Sequence, residues 1–165
     1  MLVACLFTDC AYPKYYRTMG KKLKPWQHKF ENQMQDAELI FDGKDYESAH
    51  KAFHEAYKTI PTPREKHPET TRAIMAIADT LYMRGQYEAA WEPLEDLMQL
   101  PGGAANPYIR LRRGQVLCHL GKLKKARVEL TTAFLNGGPA LFADETDCKD
   151  ELELIEKELG HLFNQ

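Results

Sequence analysis

The stretch RGQYEAAWEPL, residues 84–94, decides the reading of the fold. Gly85 has the look of a helix stop. Beyond it Tyr87, Ala90, Leu94 and Leu97 follow at steps of three, four and three, which places them on one face of an α-helix. Pro93 falls inside that helix. It has no N–H to give the carbonyl of Ala89, at a cost of about 3 kcal/mol in a straight interior, so a kink or an irregular start is expected there.

The pattern recurs twice. DYESAHKAFHEAYKTIP from Asp45 and KLKKARVELTTAFLNGGP from Lys122 give Tyr46-Ala49-Phe53-Ala56 and Leu123-Ala126-Leu130-Ala133 in the same register. Each run is preceded by a second periodic segment with a small residue three before a large one: Ala37 and Ile40, Ala78 and Leu81, Gly114 and Leu117. Gly43, Gly85 and Gly121 then stand between the two segments and are read as left-handed helix C-caps. The unit is therefore helix, short turn, helix. It recurs after 41 residues (Ala49 to Ala90) and 36 residues (Ala90 to Ala126), with the extra length in 62–69 and 102–107, where loops accept insertions cheaply.

At these positions the chain resembles the tetratricopeptide repeat family, whose period is about 34 residues. The resemblance covers residues 30 to about 139. The family's small residue in the first helix corresponds to Ala37, Ala78 and Gly114. Its alanine in the second helix corresponds to Ala49, Ala90 and Ala126, and its closing proline to Pro61, Pro101 and Pro139. The family's first-helix tryptophan is missing, with Gln33, Ile74 and Arg110 in its place. The expected fold is all-α: an α-solenoid of three tetratricopeptide-like hairpins, at about 30–61, 71–101 and 107–139, in a single domain 25–165. A C-terminal capping helix over about 144–163 would carry Cys148, Leu152, Ile155, Leu159 and Leu162 on one face.

Residues 1–24 read as a basic leader outside the fold, with Lys14, Arg17, Lys21, Lys22 and Lys24 against Asp9 alone. Leu2 to Cys5 matches a lipoprotein cleavage box, but only Met1 precedes it, where a signal peptide needs a basic start and an apolar stretch. A cytoplasmic protein is the expectation, and a lipoprotein is the alternative if the true start lies upstream. The chain holds 22 Lys plus Arg and 24 Asp plus Glu, a balance that demands neither nucleic acid nor a membrane surface. No run approaches the roughly 18 apolar residues of a membrane span. Cys5, Cys10, Cys118 and Cys148 have no zinc-knuckle spacing and read as reduced thiols.

Catalytic signals are absent from the sequence. There is no GxSxG, no phosphate loop and no HExxH, so no enzyme activity, cofactor or metal is expected. His50 and His54 have a spacing that can bind metal, but no third ligand lies close in sequence, and they are read as exposed. Cys118 reads as packing rather than as a nucleophile, and Gly102 and Gly103 as turn glycines. A block from Gln99 to Val128 holds Arg110, Arg112, Arg113, Lys122, Lys124, Lys125 and Arg127 with no carboxylate. It reads first as a solvated face, then as a contact for an acidic protein. Nucleic acid ranks last, because aromatics that stack on bases are sparse there.

The tetratricopeptide resemblance implies a concave binding groove lined by the first helix of each unit. Carried over residue by residue, it gives Met34, Glu38 and Phe41, then Arg72, Met75, Asp79 and Tyr82, then Tyr108, Arg112, Gln115 and His119, with some of these expected to pack between units. Family members that clamp a partner's C-terminal carboxylate use lysine and asparagine where this chain has Met34 and Glu38. Only Arg112 keeps that pattern, which argues against a tail clamp. Residues 24–145 are similar to small stand-alone bacterial tetratricopeptide proteins often encoded beside polymorphic toxins, through Lys24-Pro25-Trp26 and Asn106-Pro107-Tyr108; the acidic C-terminus departs from them. The resemblance implies a protein-binding module whose partner is a toxin, making the chain an immunity protein, or else a secretion or assembly component. An RNA-binding regulator using residues 110–127 is the third reading.

Overall fold

The computed structural model describes residues 22–143, 153–155 and 159. The described residues are helical, with no strand among them. Seven α-helices follow in order: α1 (Pro25–Asp42), α2 (Tyr46–Thr59), α3 (Pro68–Met83), α4 (Tyr87–Gln99), α5 (Pro107–His119), α6 (Leu123–Gly137) and the short α7 (Ala140–Ala143). Two 3-10 turns, Arg64–Lys66 and Gly103–Ala105, fill the longer connections. Residues 1–21 of the basic leader, with the lipoprotein box, lie outside the described residues, as does most of the expected capping helix. Of that helix, 153–155 and 159 are helical, and Ile155 and Leu159 are buried.

The chain divides into two compact units, 1–85 and 86–165. In the first, α1 packs on α2 and α2 on α3. Its core is Phe30, Met34 and Ala37 from α1, Ala49, Phe53, Ala56 and Ile60 from α2 and its end, and Ala73, Ala76 and Ile77 from α3. In the second, α5 packs on α4 and α6, around Leu111, Leu117, Ala126, Leu130, Ala133, Phe134 and Phe142, with Ile155 and Leu159 added from the C-terminal segment. Burying each large apolar side chain contributes about 1.5–3 kcal/mol, and the alanines between them let the helix backbones come close.

The recurrent face of the second helices is the buried one. Ala49, Phe53 and Ala56, Ala90, Leu94 and Leu97, and Ala126, Leu130 and Ala133 are all nearly or fully buried. The opening position of each run is looser, and Leu123 is 51% exposed. At Gly114 a Cβ would fall 2.5 Å from Leu130 Cδ2, so the small residue there is what lets α5 lie against α6.

The three turns share one backbone conformation, and it corrects the expectation for the first. Gly85 and Gly121 are left-handed, both with φ 69°, as a helix C-cap requires. Gly43 is right-handed, with φ −71°, and the left-handed residue is Lys44, with φ 64°. Counted from the small residue of the preceding helix, Lys44 is the true counterpart: 37 to 44, 78 to 85 and 114 to 121 are all seven steps. The next residue has nearly the same angles in each turn: −84°, 73° at Asp45, −90°, 61° at Gln86 and −88°, 52° at Lys122. A side chain in the left-handed region carries a steric cost that glycine avoids. Lys44→Gly should therefore raise stability by about 0.5–1 kcal/mol, and Gly85→Ala should lower it by about 1 kcal/mol, both read by urea denaturation.

The first helices all begin with proline at their first position, at Pro25, Pro68 and Pro107, where the missing N–H would have no intrahelical partner anyway. In α5 this explains Asn106-Pro107-Tyr108: the Asn106 side chain accepts from Tyr108 N at 2.9 Å and caps the helix.

Helix α4 runs unbroken through Pro93. The carbonyl it leaves unpaired belongs to Ala89, an exposed residue, so water can satisfy it. Pro93→Ala restores the helical hydrogen bond but frees the unfolded chain, and the net gain expected is about 2 kcal/mol, seen as a higher unfolding midpoint.

Candidate functional site

The candidate residues lie on α1 and α3 in the first unit and on α5 in the second. In the first unit they centre on Arg72. Nη1 donates to Glu31 Oε2 at 2.6 Å and Nη2 to Glu38 Oε1 at 2.8 Å, so one guanidinium ties two turns of α1 to α3. Burial works against the charge of Arg72, but the two carboxylates outweigh it and raise its pKa above the ordinary arginine value. Beside this pair Gln27 Nε2 donates to Glu69 Oε1 at 2.7 Å. Phe41 is half-buried and meets Tyr46 edge-on at 5.1 Å between centroids.

Burial sorts the expected groove residues. Met34 is in the core of the first unit, and Met75 and Asp79 are buried. Tyr108, Arg112 and Gln115 are buried as well, and Arg112 Nη1 donates to Gln115 Oε1 at 2.8 Å. Glu38, Phe41, Arg72 and Tyr82 are half-buried, and His119 is exposed. Residues 75–80 on α3 and 111–117 on α5 are buried in unbroken runs. At 100° per residue such runs cover every side of a helix, so burial here follows no single face. The accessible residues of the expected set are thus Glu38, Phe41, Arg72 and Tyr82 in the first unit and His119 in the second. The His119 ring is stacked on Tyr87, with centroids 4.0 Å apart and planes 2° from parallel.

The basic block is not uniformly a solvated face. Arg113 is buried and lies over Trp91, with Cζ 4.4 Å from the ring centroid. Its Nε and Nη2 both lie 3.1 Å from Glu129 Oε1, its Nη1 donates to the Leu94 carbonyl at 3.2 Å, and it pairs with Glu95. Arg110 reaches the other oxygen of Glu129 through Nη1 at 2.8 Å and the Ala104 carbonyl through Nε at 2.9 Å. Two of the seven cations therefore neutralise one buried carboxylate and join α4, α5 and α6. The exposed cations of the block are Lys122, Lys124, Lys125 and Arg127, near the start of α6. Glu129 stands one residue beyond the carboxylate-free run, and only the folding of α6 onto α5 brings it to the arginines.

Among the described residues no group of three or more His, Cys, Asp or Glu is placed to hold a metal, and no helix is long and apolar enough to cross a membrane. His50 and His54 are half-buried on α2 and touch edge to face. Burial first, then His54 and Arg84, holds His50 below the usual imidazole pKa; burial first, then Lys58, does the same for His54. A depressed folded-state pKa means that the unfolded chain takes up protons first. The stability these rings contribute is fully present above the ordinary value of 6.5 and is lost as pH falls through the depressed values. The unfolding temperature should fall as pH drops below that value, and it should fall less steeply for His50→Gln/His54→Gln over the same range.

No family model matches the chain, and neither does any curated protein or solved structure.

Proposed function

We propose that this chain is a non-catalytic protein-binding module, a short α-solenoid of tetratricopeptide-like hairpins that takes a protein partner on the first helices of its repeats. The observation that carries the reading is the recurrence of one turn, at Lys44, Gly85 and Gly121, with matching dihedrals and a buried small-large-small face after each. A unit repeated in this way builds extended surface rather than a catalytic cleft. Accessible aromatic and charged groups on that surface, Phe41, Tyr82, Arg72, Glu38 and His119, are the kinds of residue that anchor protein interfaces.

Neutralisation of a toxin in the cytoplasm is the specific role proposed, on the strength of the sequence resemblance. An assembly or secretion adaptor is the second role for the same surface. Burial of Arg112 and Arg113, and the pairing of half-buried Arg110 with Glu129, weigh against an RNA-binding regulator. The test is affinity capture from the source cell with the wild type and with Tyr82→Ala/His119→Ala, a variant confirmed as folded by circular dichroism. A toxin encoded beside this gene, captured by the wild type and lost from the variant, supports immunity. Retention of every captured protein by the variant removes the proposed surface.

A further inference from the structure

A second constellation lies on α2. His50 and His54 are one helical turn apart, with ring centroids separated by 4.7 Å. Nδ1 of His50 lies 2.7 Å from Thr80 Oγ1. That hydroxyl donates its own hydrogen to the Ile77 carbonyl, also at 2.7 Å. With that hydrogen given to Ile77, the hydroxyl accepts from His50, and in this tautomer Nδ1 carries the imidazole proton and leaves the Nε2 lone pair for a metal. Metal-binding histidines are held in this way, with the ring N–H that faces away from the metal donated to a protein oxygen, which fixes tautomer and ring orientation.

We infer that His50 and His54 form a two-imidazole site for a borderline divalent transition-metal ion such as Cu2+, Ni2+ or Zn2+. The carboxylates nearest on the same helix do not join it. Glu47 is held by Lys51 at 2.9 Å and Glu55 by Lys58 at 2.6 Å. The protein donors are the two rings, and water completes the coordination. Imidazole donors bind Cu2+ more tightly than Ni2+ or Zn2+, which sets the order of affinities. Arg84 acts on His50 and Lys58 on His54, and these cations make the site weaker than an acidic surround would.

The experiment is titration of the whole protein with Cu2+ and with Zn2+. Calorimetry gives the stoichiometry, and side-chain NMR of the six histidines locates the ion. The expected result is one ion per chain, with Cu2+ broadening confined to His50 and His54. His54→Gln should weaken binding at least tenfold, and Thr80→Val should weaken it about tenfold by removing the acceptor that fixes the His50 tautomer. Should Thr80→Val fail to fold, the half-exposed His54→Gln decides. Binding of undiminished strength in His54→Gln, broadening centred on other histidines, or no binding at millimolar metal each overturns the site.

Discussion

Glu129→Ala should cost about 3 kcal/mol of unfolding free energy, because it removes the carboxylate that Arg110 and Arg113 share and leaves buried Arg113 with half-exposed Glu95 alone. Arg113 has a side chain 9% exposed and Glu129 one 11% exposed, so water replaces little of what the pair loses. The carboxylate takes Arg113 on one oxygen and Arg110 on the other, and both arginines come from α5 while Glu129 is on α6. Urea denaturation of the variant reads the loss. A second comparison separates a stranded charge from lost packing. In Glu129→Met/Arg113→Met the charges leave together, and the double variant should be more stable than Glu129→Ala. If the single substitution costs less than about 1 kcal/mol, the network is an exposed-type ion pair and the energetic account of the second unit is wrong.

Gly103→Ala is the second large effect, about 3 kcal/mol or more. A Cβ there would lie 1.8 Å from the carbonyl oxygen of Leu97 and 2.9 Å from its carbon, so the backbone at the end of α4 would have to move. The neighbouring Gly102 supplies the control. Its added Cβ would meet nothing within 4 Å, but its φ is 81°. Gly102→Ala should therefore cost only the left-handed penalty of about 1 kcal/mol. Equal unfolding midpoints for the two variants would contradict the close approach. The comparison also changes the view of residues 102–107, which read in sequence as a cheap insertion and are instead packed against the helix they follow.

Those two glycines show where the sequence is silent. Both read as turn glycines, and nothing in the letters distinguishes one that needs a left-handed φ from one that needs a missing Cβ. The buried faces were legible, because Ala49, Ala90 and Ala126 recur with large residues at helical steps and burial follows that period. Glycine is the usual occupant of a left-handed position, which points to Gly43; the seven-step count from Ala37 points to Lys44, where the positive φ lies. Glu129 could be recognised as the partner of the arginines only through space, since it is 16 and 19 residues away from them. The candidate face was legible as a set of positions on first helices. Which of them are accessible was not, because α3 and α5 are buried on all sides over much of their length and show no polar face to mark it.

Binding of a protein partner by the first helices of the repeats is read most directly by hydrogen–deuterium exchange of the chain with and without a captured partner. Added protection on binding should fall on peptides containing Glu38 to Phe41, Arg72, Tyr82 and His119, with little change over α2 and α6. Protection confined to α2 or α6, with the first helices unchanged, would contradict the account.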